Sequence, residues 1–223
     1  KFKADVRRYY RKNRRELPWR RTRDPYAIVV SEIMLQQTQV ERVVKFYTSF
    51  LGRFPDFGAL AASPLSDVLA AWQGLGYNRR ALYLKKLAEE VLEKYNGVLP
   101  RDHGSLTKLP GIGAGTAGSI GAFAFNAPAV FIETNIRRAF LHYFFPRTAA
   151  VRDKELLPLV SSALDRKNPR EWYYALMDYG SMLGRAEKEN PNRRSRHYTR
   201  QSRFEGSDRQ IRAGIVRIFL NSK

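Results

Sequence analysis

The sequence predicts an all-α protein. Apolar residues recur at helical spacing along most of the chain, no pair of alternating strands flanks a hairpin turn, and caps and prolines punctuate the pattern at helix-length intervals. A first amphipathic helix is expected over residues 4–14, ended by the polar turn before Leu17-Pro-Trp-Arg20. Pro25 suits the first turn of a second helix, running to about Gln37, in which Ile28, Val29, Ile33 and Met34 are apolar and Glu32 is carried among them. Further helices are expected over 39–50, over Ser63 to Gln73 with Ser63 as cap and Pro64 at the first position, and over Arg79 to Tyr95. Ser105 to Leu109, a tight turn at Pro110 to Gly113, and Ala114 to Ala124 form a helix-hairpin-helix unit. Helices near 135–145, 152–165 and 170–183 follow. Asn190-Pro191-Asn192 breaks the pattern, the basic run to Gly206 reads as irregular, and Ser207 with Gln210 forms a capping-box pattern opening a last helix, Asp208 to Leu220.

With 223 residues the chain can bury a substantial core in one large or two small lobes. Forty Lys and Arg against 21 Asp and Glu give a net charge of +19. The excess concentrates at the ends: residues 1–23 hold eleven basic and two acidic side chains, residues 185–223 eleven and four. Such a surface suits a polyanion, with salt-sensitive binding; charge alone suits RNA or an anionic membrane as well. No run of about 18 apolar residues is present and no signal peptide precedes the charged start, so a cytoplasmic, membrane-free protein is expected. The absence of cysteine excludes disulfides and cysteine-held metals, and His103, His142 and His197 are too scattered for a metal site.

The chemistry centres on Ser105 to Asn135, SLTKLPGIGAGTAGSIGAFAFNAPAVFIETN. Pro110 stops the first helix, and Gly111 and Gly113 permit left-handed dihedrals and close approach of a ligand to the backbone. Free amides at Ala114, Gly115 and Thr116 would then face outward, where the helix dipole favours a phosphate. Lys108, at the end of the first hairpin helix, would meet phosphate or solvent.

LPGIG followed by a small-residue helix and a carboxylate resembles the helix-hairpin-helix DNA glycosylases. The resemblance extends through LPWR (17–20), DPY (24–26), SEIMLQQTQV (31–40), WQGLGY (72–77) and ALMDYG (175–180), which together are similar to the catalytic domain of MutY-type adenine DNA glycosylases over residues 5–184. It implies a two-lobed fold, with 1–24 and 134–223 in a terminal lobe, 25–133 in a middle lobe and the active cleft between. It also implies a monomeric enzyme that binds duplex DNA, flips a mispaired or damaged base, with adenine favoured, and hydrolyses its N-glycosidic bond.

Glu32 matches the family's proton donor; its apolar surroundings would raise its pKa from about 4.3, as a general acid requires. Taken alone, the same residue would read as a solvated helix-stripe glutamate. Glu133 stands where the family carries Asp, stabilising or attacking an oxocarbenium-like sugar, and Asn135 would hold it; a helix-start glutamate favoured by the dipole is the plainer reading. The extra methylene displaces the charge by about an ångström, a shift able to cost about 100-fold. Trp19, Arg20 and Asp178 match positions that would contact the flipped base, against plain roles in core, ion pair and helix turn. Gln36, Gln37 and Thr38 match the segment that enters the duplex, and Tyr77 a residue that wedges into the stack. Gly115 offers neither the lysine of Schiff-base lyases nor a hydroxyl, which argues against lysine-based strand cleavage.

Two family parts are absent from this sequence. The four cysteines of the [4Fe-4S] loop are missing; the basic loop with Arg193 and Arg194 and the last helix would take over its structural and phosphate-binding roles. The segment for 8-oxoguanine recognition is not present either, so weak selectivity for that lesion is expected. No organic cofactor is implied; an alkali or alkaline-earth ion on hairpin carbonyls leaves no side-chain signature and stays open. So do two rival functions: abasic-site strand cleavage on the same fold, and a noncatalytic damage-binding protein.

Overall fold

A computed structural model describes residues 1–186, 189–199 and 203–221. All regular structure among them is helical, apart from a single bridge between Val151 and Ser195. The helices are α1 (Phe2–Asn13), α2 (Pro25–Leu35), α3 (Val40–Arg53), α4 (Phe57–Ala62), α5 (Leu65–Trp72), α6 (Arg79–Tyr95), α7 (His103–Lys108), α8 (Ala114–Phe125), α9 (Thr134–Phe144), α10 (Asp153–Ala163), α11 (Pro169–Ala186) and α12 (Asp208–Asn221). Short 3-10 turns lie at Pro18–Arg20 and Pro191–Arg194. No helix among the described residues is long and apolar enough to cross a membrane.

Contacts divide the chain into two compact units, Lys1–Glu16 with Gly121–Arg200 and Leu17–Ile120 with Gln201–Lys223. This differs from the expected 1–24 and 134–223 against 25–133. The division falls inside α8, and the last helix groups with the middle of the chain, where Arg209 of α12 meets Tyr77.

In the first unit α1, α9 and α11 share a core. Phe2 packs edge-on against Phe140 and Trp172, at ring-centroid distances of 4.9 and 6.3 Å, and Phe123 stacks on Tyr174 at 4.6 Å. Gly180 sets the closeness of α9 to α11, since a Cβ there would land on the Asn135 backbone. In the second unit α2 is buried nearly all round, which its sequence PYAIVVSEIML allows. Its N-terminus is capped by Asp24, which accepts from the Tyr26 and Ala27 amides, and Pro25 fills the first position. Tyr26 and Tyr47 bury their rings and donate their hydroxyls to the Phe54 and Ala27 carbonyls.

Ser63 is not the cap of α5. It ends the unforeseen α4, its hydroxyl donating to the Ala59 carbonyl at 2.7 Å, while Pro64 precedes Leu65. The first hairpin helix starts earlier than Ser105, because Asp102 caps it through the Ser105 amide. The expected capping box at Ser207 does not form: Gln210 accepts from the Gly206 amide, and the Ser207 hydroxyl turns to the Phe204 carbonyl.

Candidate active site

Leu17–Ile120 carries the hairpin, Glu32 and the two loops matched to duplex contact. The hairpin closes with Ile112 N–H donating to the Leu109 carbonyl at 3.1 Å, and Gly111 has φ +80°, with Tyr83 Cβ 3.0 Å from where a Cβ would stand. The helical ladder of α8 opens with Ala117 N–H on the Gly113 carbonyl at 2.8 Å. The amides of Ala114, Gly115 and Thr116 therefore precede the ladder, on residues that are exposed or, for Thr116, half-buried. Lys108 is exposed at the end of α7.

Glu32 is half-buried on α2, and its Oε2 lies 2.5 Å from the Ser119 hydroxyl on α8. One turn further, the Gln36 amide donates to the Gly111 carbonyl at 3.2 Å and to Thr116 Oγ1 at 3.3 Å. Gln36 and Thr38, both expected to contact bases, thus have partners inside the protein. The nitrogen of Gln36 is committed to the hairpin, and the Thr38 hydroxyl accepts from Arg80 at 2.9 Å. Gln37 alone of the three is exposed, with φ +54°; Tyr77 shares this left-handed conformation, with φ +50°. Holding non-glycine residues there costs about 1 kcal/mol or more each, so something must hold both loops.

Arg80 does so. Its buried guanidinium donates to the carbonyls of Ile33, Met34 and Gln36 at 2.9, 2.7 and 2.6 Å, and to those of Leu75 and Gly76 at 3.4 and 2.9 Å. It thus joins the C-terminal end of α2, where the dipole favours a cation, to the loop before α6. Burial pulls its pKa down to about 10, leaving it charged at neutral pH. Two guanidiniums approach the Tyr77 ring, Arg80 at 5.4 Å and Arg209 at 5.6 Å, and Arg209 also donates to its hydroxyl at 2.9 Å. The sequence reading missed Arg80, Ser119 and Arg209. The first had a signal: Arg80, Leu84, Leu87, Ala88 and Val91 form one buried stripe on α6, where an arginine is out of place unless its charge is met by hydrogen bonds.

Trp19, expected to contact the flipped base, is 4% exposed and packs edge-on to Tyr47 at 5.5 Å. Arg20, beside it on the 3-10 turn, is half-buried.

In the other unit, Glu133 caps α9. Its Oε1 accepts from the Asn135 and Ile136 amides, both at 2.7 Å, and its Oε2 from the Asn135 side chain at 3.2 Å. Burial pushes the Glu133 carboxyl above its ordinary pKa, against the pull of those amides and of Arg138 and Arg137. Arg138 locks the cap in place, donating to Asn135 Oδ1 and the Gly180 carbonyl at 2.8 Å each, and to Asn190 Oδ1 at 3.0 Å. Asp178 is 2% exposed, and its carboxylate takes the Arg15 amide at 3.0 Å and Arg15 Nε at 2.5 Å. That pair joins α11 to the residues after α1 at the position expected to accept from a base amine.

The segment that would hold a [4Fe-4S] cluster does not fit one. The chain has no cysteine, and among the described residues no group of three His, Cys, Asp or Glu could hold a metal. Hydrogen bonds fix the segment instead. The Asn192 side chain donates to the Thr134 carbonyl at 3.0 Å, and residues 151 and 194–196 exchange backbone bonds of 2.9 Å. Arg194 donates to the Pro146 carbonyl at 2.8 Å and so takes part in this closure, whereas Arg193 is exposed.

Helices alone, a glycine hairpin opening a helix, and a half-buried carboxylate tied to that helix define a class of DNA repair protein, and residues 30–158 match its sequence profile. The chain belongs to the HhH-GPD superfamily of base excision DNA repair proteins. Among its relatives are adenine DNA glycosylases of Buchnera aphidicola subsp. Baizongia pistaciae, 36% identical over 82% of this chain and 52% of that protein, and of Mycolicibacterium smegmatis, 34% identical over 96% and 78%. The chain thus spans about half the length of the first of these. A thermostable thymine-DNA glycosylase is structurally similar, with a TM-score of 0.75 and 28% identity over 85% of this chain and 88% of that one.

Proposed function

We propose that this chain binds duplex DNA, extrudes a mispaired base, with adenine preferred, and hydrolyses its N-glycosidic bond. The observation that carries the reading is the seating of Glu32: a half-buried carboxyl hydrogen-bonded to the helix whose exposed first amides suit a phosphate. A proton donor fixed relative to a backbone grip is what departure of a purine needs. The likeness to adenine DNA glycosylases supports adenine as the leaving base. In this reading Glu32 protonates the base, Glu133 supplies negative charge for the oxocarbenium-like sugar while Asn135 holds its carboxylate, and Gln37 and Tyr77 enter the duplex. Lys108, the amides of 114–116 and Arg193 take phosphates, and Arg20 meets the extruded base.

Without a lysine at position 115, strand cleavage through a Schiff base is not expected. An alkali or alkaline-earth ion at the hairpin would have to use the remaining lone pairs of the Leu109, Gly111 and Gly113 carbonyls, each of which already accepts one hydrogen bond. The enzyme is taken to act as a monomer.

End-labelled duplexes carrying adenine, thymine, uracil, 8-oxoguanine or an abasic site against each opposite base decide the matter in single-turnover reactions. Breakage seen only after hot alkali, in adenine mispairs and lost in Glu32→Gln, is the expected result. Breakage of the abasic duplex without alkali, with intact bases ignored, replaces the reading with strand incision. Tight lesion binding with no product replaces it with a damage-binding protein.

A further inference from the structure

Ser119 is 4% exposed, and its single hydroxyl has two oxygen neighbours, Glu32 Oε2 at 2.5 Å and the Thr116 carbonyl at 2.9 Å. A hydroxyl has one hydrogen to give. If Ser119 gives it to a charged Glu32, two oxygens without a hydrogen between them face each other across 2.9 Å at Thr116. If Ser119 gives it to the Thr116 carbonyl, the common backbone bond of a helical serine, the short contact to Glu32 needs a hydrogen from the carboxyl. Only the second arrangement gives each contact a hydrogen.

We propose that Ser119 is a positioning residue for the proton on Glu32, its hydroxyl accepting from the protonated carboxyl while donating to the Thr116 carbonyl. The inference rests on the reading of Glu32 as proton donor and adds where the proton waits and what orients it. Gly115 provides no hydroxyl to do this, and Ser119 lies one helical turn further along the same helix. The charged or titratable groups set around α2 from its packed neighbours are Arg80 from α6, at the Ile33 and Met34 carbonyls, Tyr47 from α3, at the Ala27 carbonyl, and Arg20 on the turn before α2.

The test has two arms. In single-turnover excision from an adenine mispair, Ser119→Ala is expected to slow the chemical step about 10-fold at neutral pH while DNA affinity stays within about 2-fold. Its alkaline rate limb should move to lower pH by about one unit, the worth of one hydrogen bond to the neutral carboxyl. Ser119→Thr, which keeps a hydroxyl, should restore the limb. A shift to higher pH would mean that Ser119 donates to a charged Glu32, and no shift, with Thr as slow as Ala, would mean that the hydroxyl only fills space; either overturns the proposal. The second arm uses no catalysis: the infrared difference between wild type and Glu32→Gln at neutral pH should contain the carbonyl stretch of a protonated carboxyl, moved by Ser119→Ala. Its absence overturns the proposal, whereas failure to excise any base defeats the functional reading and leaves the infrared result to judge Ser119 on its own.

Discussion

Replacing Arg80 with methionine removes the donor that joins the Gln36–Thr38 and Leu75–Tyr77 loops while keeping most of the side-chain volume. The cost follows from what each acceptor retains. The Ile33 carbonyl keeps the Gln36 amide and the Gly76 carbonyl keeps the Trp72 indole, but the Met34 carbonyl has no other donor among the described residues. Orphaning it costs about 2 kcal/mol. Loss of the guanidinium stacked over Trp72 at 5.4 Å costs about 1 more, and the remaining charge-assisted bonds about 1. Relief of the burial that holds its pKa down to about 10 offsets part of this, leaving a net loss of about 3 kcal/mol. For 223 residues that corresponds to a fall in melting temperature of about 9 °C. The two left-handed residues would relax with it, so single-turnover excision should fall about 100-fold, the usual cost of a displaced contact. Arg80→Lys, with three donors in place of five, should fall between. A methionine variant that melts within about 2 °C of wild type and excises at the wild-type rate would refute the idea that one buried cation holds both loops.

Two further outcomes follow from packing and charge. Gly180→Ala should destabilise the protein by more than about 3 kcal/mol in urea unfolding, because the added methyl meets the Asn135 backbone rather than a movable side chain; mild destabilisation would show that α9 and α11 part easily. Arg137 holds the Asp153 carboxyl below its ordinary pKa through bonds of 2.8 and 2.7 Å. The contribution is therefore present above the unfolded carboxylate value and lost as pH falls through the lower folded one. With both side chains partly exposed it amounts to about 1 kcal/mol. Asp153→Asn should lose that amount at pH 7 and become indistinguishable from wild type in acid.

Local signals carried the helical elements well because they act within a few residues. The helix Arg79 to Tyr95 keeps its expected bounds, and the LPGIG turn declares itself through proline and glycine. What stayed hidden depends on residues far apart in the chain. Asp178 reads as a polar residue in a motif until Arg15, 163 positions away, is seen to occupy it. Gln36 reads as a surface amide until it meets Gly111 and Thr116. Ser119 sits among small residues that suggest only close packing, and its contact with Glu32 spans 87 positions. The short α4 escaped because six residues hold too little periodicity to register.

The closure of residues 189–199 by Asn192, Arg194 and the Val151 bridge has a consequence for the life of the protein in a cell. A unit whose last loop is tied down by amides and a guanidinium is finished when the chain has folded. With no cysteine in the sequence, the loop is held by hydrogen bonds and presents no thiolate to oxidants.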